Sequence, residues 1–584
     1  MNREWSLDLL YKGYDDEKFL NDYNSLDEKN NQLHELVLKL PTLTEEDAIL
    51  SILDSLEQSR LLYGNLNNYI MLRQTTDTTN PETTSLLGQL TKKMSEISKD
   101  EVVINKYIAN CTSLDSLIDT NEKCKTYEFF LRTIRKDCSH LLSDDVEEMI
   151  AKMNLTGGGS WASLYDYLTS TLSVDYDGKT LTLSDVRNLA YSSDPDVRKA
   201  AYQAELAGYE KIKDPIAFSL NNIKKQVTML SQARGYDSPL SMALEQSRMQ
   251  KETLDALWSA CRNYLPKFHS YLRRKAELLG HKNGLPWYDL FAPMGESHGS
   301  FTAEEAKDYL ISHFRSFSPD MAAMMTEAFD HSWIDFYPHA GKVGGAFCDN
   351  LSSCKESRVL TNFDGSLSSI CTLAHELGHA YHGMHIQEHA PLNWDYTMPV
   401  AETASTFNEN VIMNFAIDEA TGDEKLALIE SQLQDETQTI CDIYSRFLFE
   451  QTVFERSKDE FLFPDQLKEI MLNAQKEAFG DGLDPNYMHP FMWACKGHYY
   501  SEGLSYYNFP YAFGNLFSKG LYAMYKKEGS SFVPKYQALL YATTTNTVED
   551  VAAMAGVDLT KPDFWENSLK LISENIDKFL ALTK

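Results

Sequence analysis

A mainly α fold is what the sequence predicts, on three observations. Segments such as Glu45–Tyr69 and Leu426–Phe461 space apolar residues three and four apart, the helical period. Strand-like texture is confined to Leu172–Leu183 and to the stretch after Phe336. Hydrophobic residues are 43% and aromatics 12% of 584, enough for a sizeable core, and at ~150 residues per domain the chain holds about three to four domains or two large ones.

Taken in order, the first helical stretches are separated by the polar, threonine-rich Gln74–Ser85. Thr156–Ser160, TGGGS, lacks the GK[ST] of a phosphate loop and reads as a flexible connection. Leu172–Leu183 alternates around Asp177-Gly178, a hairpin signal. Asp194 then suits a helix N-cap, with Pro195 in the first turn. A boundary near Asp185 divides an N-terminal helical domain, 1–185, ending in the hairpin, from a larger domain, 186–584.

The 54 basic and 85 acidic residues leave a net charge of −31. Such a surface repels phosphate backbones and anionic lipid, so neither nucleic acid nor membrane is an expected partner. The first residues show no signal-peptide pattern. No run approaches the ~18 apolar residues of a spanning helix. Nine scattered cysteines without a CxxC pair fit a reducing compartment. The expected location is the cytoplasm.

The chemistry is concentrated in Cys371–His385, CTLAHELGHAYHGMH. His375 and His379 stand four apart, so on a helix both imidazoles face one point, where Zn²⁺ fits. Glu376 lies about 100° round and reaches a water at that point without ligating the metal, as a general base must. With 15 histidines and 85 acidic residues in 584 positions, chance supplies only about 0.06 such HExxH patterns. Gly378 costs the helix ~1 kcal/mol relative to Ala, which close packing against another helix would justify.

A third ligand has two candidate sources. His385 stands at the metzincin offset, but residue 382 is His where that motif needs the turn-forming Gly. The alternative is a carboxylate from Met398–Asn410, in which Glu402 and Glu409, seven apart, share a helical face. One would ligate the metal and the other orient a ligand imidazole. Small Ala404 and Ser405 would let that helix approach the HExxH helix closely.

HELGHAYH followed by ETASTFNEN resembles the oligoendopeptidase F and thimet oligopeptidase family of zinc metallopeptidases, the oligoendopeptidase F branch more closely. The resemblance implies His375, His379 and Glu402 as ligands of one Zn²⁺, Glu376 as general base and acid, and Glu409 as a further acidic group beside the metal. GGAFCDN (344–350) is similar to the family's edge strand against the substrate, which places Gly344, Gly345, Ala346 and Phe347 on the substrate backbone. The segment from His498 to Tyr511 is similar to the family's His/Tyr segment at the scissile carbonyl. It implies His498 and Tyr511 as oxyanion donors, with Tyr507 and Tyr506 as alternatives. The implied fold is a two-lobed zincin-like metallopeptidase with a deep substrate channel and a small β-sheet next to the HExxH helix. The implied activity is endopeptidase hydrolysis of oligopeptides.

A zinc carboxypeptidase on the same framework and a catalytically silent peptide-binding protein are the rival readings. The intact Glu376 argues against the second. His382 and His389 read as partly exposed, hydrogen-bonded histidines, and Cys371 as a small buried residue.

Overall fold

A computed structural model describes residues 3–295 and 300–584. Helices dominate it. Five strands punctuate them: β1 (Ser173–Tyr176), β2 (Lys179–Thr182), β3 (Ile334–Asp335), β4 (Phe347–Leu351) and β5 (Glu356–Leu360). The chain divides into two compact units in alternating stretches. The first comprises Met1–Leu141, Gly299–Ile412 and Tyr525–Ala555, the second Leu142–His298, Met413–Met524 and Gly556–Lys584. Among the described residues no helix is long and apolar enough to cross a membrane.

In the first unit, helices Glu17–Lys39, Glu45–Thr76, Pro81–Glu96 and Ser98–Asn110 bury a continuous core that includes Leu26, Ile52, Leu66, Ile104 and Leu351. Three of the four starts follow cap chemistry: Asp16 accepts from the Lys18 N–H ahead of the first. Thr44 accepts from the Asp47 N–H, and Asn80 accepts from Glu82 and Thr83 ahead of Pro81. The three-stranded sheet has the order β3-β5-β4, with β5 parallel to β3 and antiparallel to β4, so β4 is an edge strand. The loop before β4 is tied to the end of the helix Glu45–Thr76, where the Val343 N–H donates to Thr75 O (2.9 Å) and the Thr78 N–H to Gly341 O (2.8 Å).

The HExxH helix, Leu367–Ile386, lies on this sheet, and glycines set how closely. A Cβ on Gly383 would fall 2.2 Å from Asn350 Oδ1 of β4. One on Gly378 would fall 2.6 Å from both Ala404 O and Ser405 Cα. At Gly378 the helix therefore meets the backbone of the glutamate segment at a distance that only glycine permits, while at Gly383 the Asn350 side chain fills the space a Cβ would take.

In the second unit, β1 and β2 form the expected hairpin, with Asp177 and Gly178 at φ of 46° and 71° as a type I′ turn requires. Asp194 caps the long helix Pro195–Ala233. The TGGGS segment is not a flexible connection. Gly158 opens the helix Gly158–Ser170 and its N–H donates to Gln226 Oε1 (2.7 Å), with Glu502 Cβ 2.8 Å from where its own Cβ would be. Lys224 and Glu450 form a fully buried ion pair at 2.6 Å. A π-helical turn, Gln438–Asp442, interrupts the predicted helical run between Gly422–Thr437 and Ile443–Arg456.

Candidate active site

Burial of Leu373, Ala374, Leu377 and Ala380 fixes the roll of the HExxH helix, and Ser366 caps its start by accepting from the Ser369 N–H. His375 and His379 then turn to one side, ring centroids 4.9 Å apart, with Glu376 beside them 5% exposed. Donor atoms of these three residues all lie within 4.8 Å of one another.

Glu402 completes the set. Its Oε2 is 3.3 Å from His375 Nε2 and 3.4 Å from His379 Nε2. Four donors at 2.0–2.1 Å from a tetrahedral ion stand about 3.3–3.4 Å apart. The donor set, two imidazoles and one carboxylate, and its spacing both fit Zn²⁺. Glu409 grips the other side of the same ring, accepting from His375 Nδ1–H at 3.0 Å. That bond fixes the tautomer and leaves Nε2 for the centre.

The two glutamates do not share one helix, as the seven-residue spacing predicts. Met398–Ala401 is a separate turn, Glu402 stands at the break, and the main helix runs Thr403–Glu419. Glu402 acts as that helix's cap, its carbonyl accepting from the Thr406 N–H (3.1 Å). Two residues that spacing arguments miss hold this arrangement. Ser405 Oγ donates to Glu402 Oε2 (2.7 Å), and buried Asn408 Nδ2 donates to Ala374 O (3.1 Å), tying the two helices together. Their signal is weak, because Ser and Asn inside a helix usually face water.

The electrostatics favour positive charge at the centre. Burial opposes protonation of His375, but Glu402 and Glu409 outweigh it and push its pKa up to about 10. Burial also disfavours the Glu402 charge, but the two imidazoles outweigh it and hold the carboxyl far below its usual range. Burial raises Glu376 against the pull of both histidines. This suits a group that takes up a proton.

A cavity of about 470 Å³ opens beside these residues, lined by Gly345, Ala346, Asn362, His375, Glu376 and Glu409. Gly344 and Gly345 precede the edge strand instead of forming it. Gly345 has φ of 81°, its carbonyl accepts from Asn362 Nδ2 (2.8 Å), and β4 begins at Phe347, whose ring packs on Trp5. No contact of His385 reaches the centre. Six residues beyond His379, it sits on the other side of the helix against the Tyr381 ring (4.7 Å). His382 is completely buried, not partly exposed. It donates from Nε2 to Thr543 Oγ1 (2.8 Å) and stacks on Tyr396. Cys371 is buried, and His389 bonds Tyr541 O at 2.7 Å.

The His498–Tyr511 segment belongs to the second unit. Tyr511 Oη lies 3.5 Å from His498 Nε2, and Tyr507 stacks on the same imidazole at 5.3 Å. Tyr511 is 39% exposed. Burial, with Arg446 and Lys496 nearby, lowers His498 to about 4 and keeps it neutral. Tyr506 is instead a core residue between Phe447 and Phe454. Its backbone sits at φ of 56°, pinned by donation of its N–H to Glu450 Oε1 (3.1 Å).

A mainly helical fold with two imidazoles, a buried glutamate and a facing carboxylate around one point defines a metallopeptidase. Residues 188–571 match peptidase family M3, and 111–173 match oligopeptidase F. The chain belongs to peptidase family M3 and is a metalloendopeptidase. Oligopeptidase PepF of Bacillus subtilis is 27% identical over 480 residues, 80% of this chain and 71% of that one. Group B oligopeptidase PepB of Streptococcus agalactiae is 26% identical over 459 residues, 77% and 76% of the two chains. The crystal structure of oligoendopeptidase-F from Enterococcus faecium matches with a TM-score of 0.70 at 19% identity, over 97% of this chain and 98% of that one. A solved chain from Chlamydophila abortus matches at 0.86 and 19%, over 99% and 98%.

Proposed function

We propose that the chain is a zinc-dependent endopeptidase that hydrolyses oligopeptides, with His375, His379 and Glu402 holding Zn²⁺ and Glu376 as general base. The carrying observation is the pair of 3.3 and 3.4 Å separations from Glu402 Oε2 to the two imidazole nitrogens. When bound, the ion supplies Lewis acidity that polarises a scissile carbonyl and acidifies water.

Glu376 takes a proton from the attacking water onto a carboxylate oxygen that burial already makes basic, then delivers it to the departing amine nitrogen. Glu409 holds His375 in one tautomer. Ala346 and Gly345, beside Glu376 in the same cavity, guide the peptide backbone, with Gly344 and Phe347 flanking them. The likeness of the His498–Tyr511 segment to the family's His/Tyr segment supports His498 and Tyr511, with Tyr507 as the alternative, as donors to the developing oxyanion. The names of the relatives, oligopeptidases and oligoendopeptidases, support the substrate class.

Metal analysis alongside cleavage of an internally quenched peptide tests this. Glu376→Gln is expected to keep one zinc per chain and lose ~10³-fold or more in turnover. Near-normal turnover with metal bound removes Glu376 from the reaction. Zinc retained at full stoichiometry in Glu402→Gln and His379→Gln alike removes the ligand set.

A further inference from the structure

Beyond the reacting centre, the outer edge of β4 borders a second cavity of the first unit, of about 810 Å³. The bonding pattern of the sheet shows which groups face outward. In β5 the Val359 N–H donates to Trp333 O and the Thr361 N–H to Asp335 O, both at 2.9 Å, so odd-numbered residues there face β3. Even-numbered ones face β4, where Phe347 pairs with Leu360, Asp349 with Arg358 and Leu351 with Glu356. The N–H and C=O of Cys348 and Asn350 therefore point out of the sheet, unused by it.

The side chains alternate across the same strand. Asn350 faces the HExxH helix at Gly383. Phe347 and Leu351 face the N-terminal core, and half-buried Asp349 lies between them on that side, in the cavity wall. Four charged side chains line this cavity. Arg60 is matched by Asp395 at 2.6 Å, while Glu101 and Asp349 have no cationic partner among the described residues. Burial pushes the Asp349 pKa up to about 6, with no neighbouring cation to offset it. A concave wall with an uncompensated carboxylate is completed by a positive group.

We propose that Asp349 is a specificity residue, and that this cavity takes a cationic group of a peptide laid along β4, either its α-ammonium or a Lys or Arg head. The inference rests on the function proposed above. Ala346 lines the cavity shared with Glu376, and Asp349, the third residue of β4, is three residues further. At ~3.3 Å per residue the cation sits ~10 Å, about three residues, from the cleaved bond.

The test measures kcat/KM for quenched peptides in which one Lys is walked through each position against norleucine, each with a free and an acetylated N-terminus. The wild type is expected to prefer the cationic member about tenfold in one comparison, Lys over norleucine at one position or a free over an acetylated N-terminus, as a charged hydrogen bond provides. Asp349→Asn, near-isosteric, should bring that ratio close to one, and Asp349→Lys should shift preference to a Glu-bearing peptide. A Lys-over-norleucine preference identifies a side-chain head, and a free-over-acetylated preference identifies the α-ammonium; either supports the proposal. A cationic preference that persists in Asp349→Asn overturns it. So does the absence of both preferences while cleavage still depends on Glu376. Cleavage indifferent to Glu376→Gln defeats the catalytic reading itself, and this inference with it.

Discussion

His375 is held at Nδ1 by Glu409, with its Nε2 facing Glu402 Oε2 at 3.3 Å, and so has little freedom to rotate or change tautomer. Its neighbours on the helix are constrained differently. Burial holds His382 near pKa 3 and His385 near 4, so both stay neutral in the folded protein. Unfolded imidazoles titrate near 6.5. The folded values are lower, so the unfolded chain binds protons first as pH falls. The stability these residues contribute is complete above about pH 6.5 and is lost progressively towards pH 4. Unfolding free energies from urea titration should fall between pH 7 and pH 5, by up to about 2 kcal/mol per histidine. His382→Gln should flatten that dependence, and an unchanged slope would show that the burial of His382 does not drive it. The sequence disclosed His375, Glu376 and His379 because a local spacing encodes them. It left the burial of His382 hidden because Thr543 and Tyr396, which cover it, are remote in the chain.

Between elements, the metal site is a problem of backbone distance. The HExxH helix and the segment carrying Glu402 touch main chain to main chain at Gly378, with Asn408 bonded across the contact. Gly378→Ala adds one methyl where the nearest atoms would stand 2.6 Å away. Because those atoms are backbone, the helices must separate. The expected cost is about 1–3 kcal/mol, accompanied by weaker metal retention in a chelator competition as Glu402 moves off its imidazoles. Wild-type metal affinity in Gly378→Ala would show that the contact does not set the ligand geometry. This close approach was legible from Gly378, Ala404 and Ser405, small residues in two segments that must meet. The break at Glu402 was not, since the heptad spacing to Glu409 reads the same with or without an interruption. The π turn at Gln438–Asp442 escaped for a similar reason: one extra residue per turn barely alters an apolar pattern.

For the molecule as a whole, each unit is assembled from three stretches of chain, and contacts between remote stretches leave no local pattern to read. The last helix, Pro562–Leu582, packs on Lys251–Leu278 of the second unit and buries Trp565, Leu569, Ile572, Ile576 and Phe579. At about 1.5–3 kcal/mol per large apolar side chain, their burial rivals the ~5–15 kcal/mol by which proteins are stable. A chain ending before Pro562 should therefore lose the cooperative calorimetric transition of the second unit. A retained transition would show that the rest of the unit suffices. The unpaired margin of β4 has a consequence at the same scale. A polypeptide aligned there must present amide hydrogens and carbonyls that nothing else has claimed. Strands inside folded proteins have already spent theirs on neighbours, whereas a short unstructured chain has both rows free. Under the proposed activity, such a margin sorts clients by whether their main chain is already engaged, whatever side chains they carry.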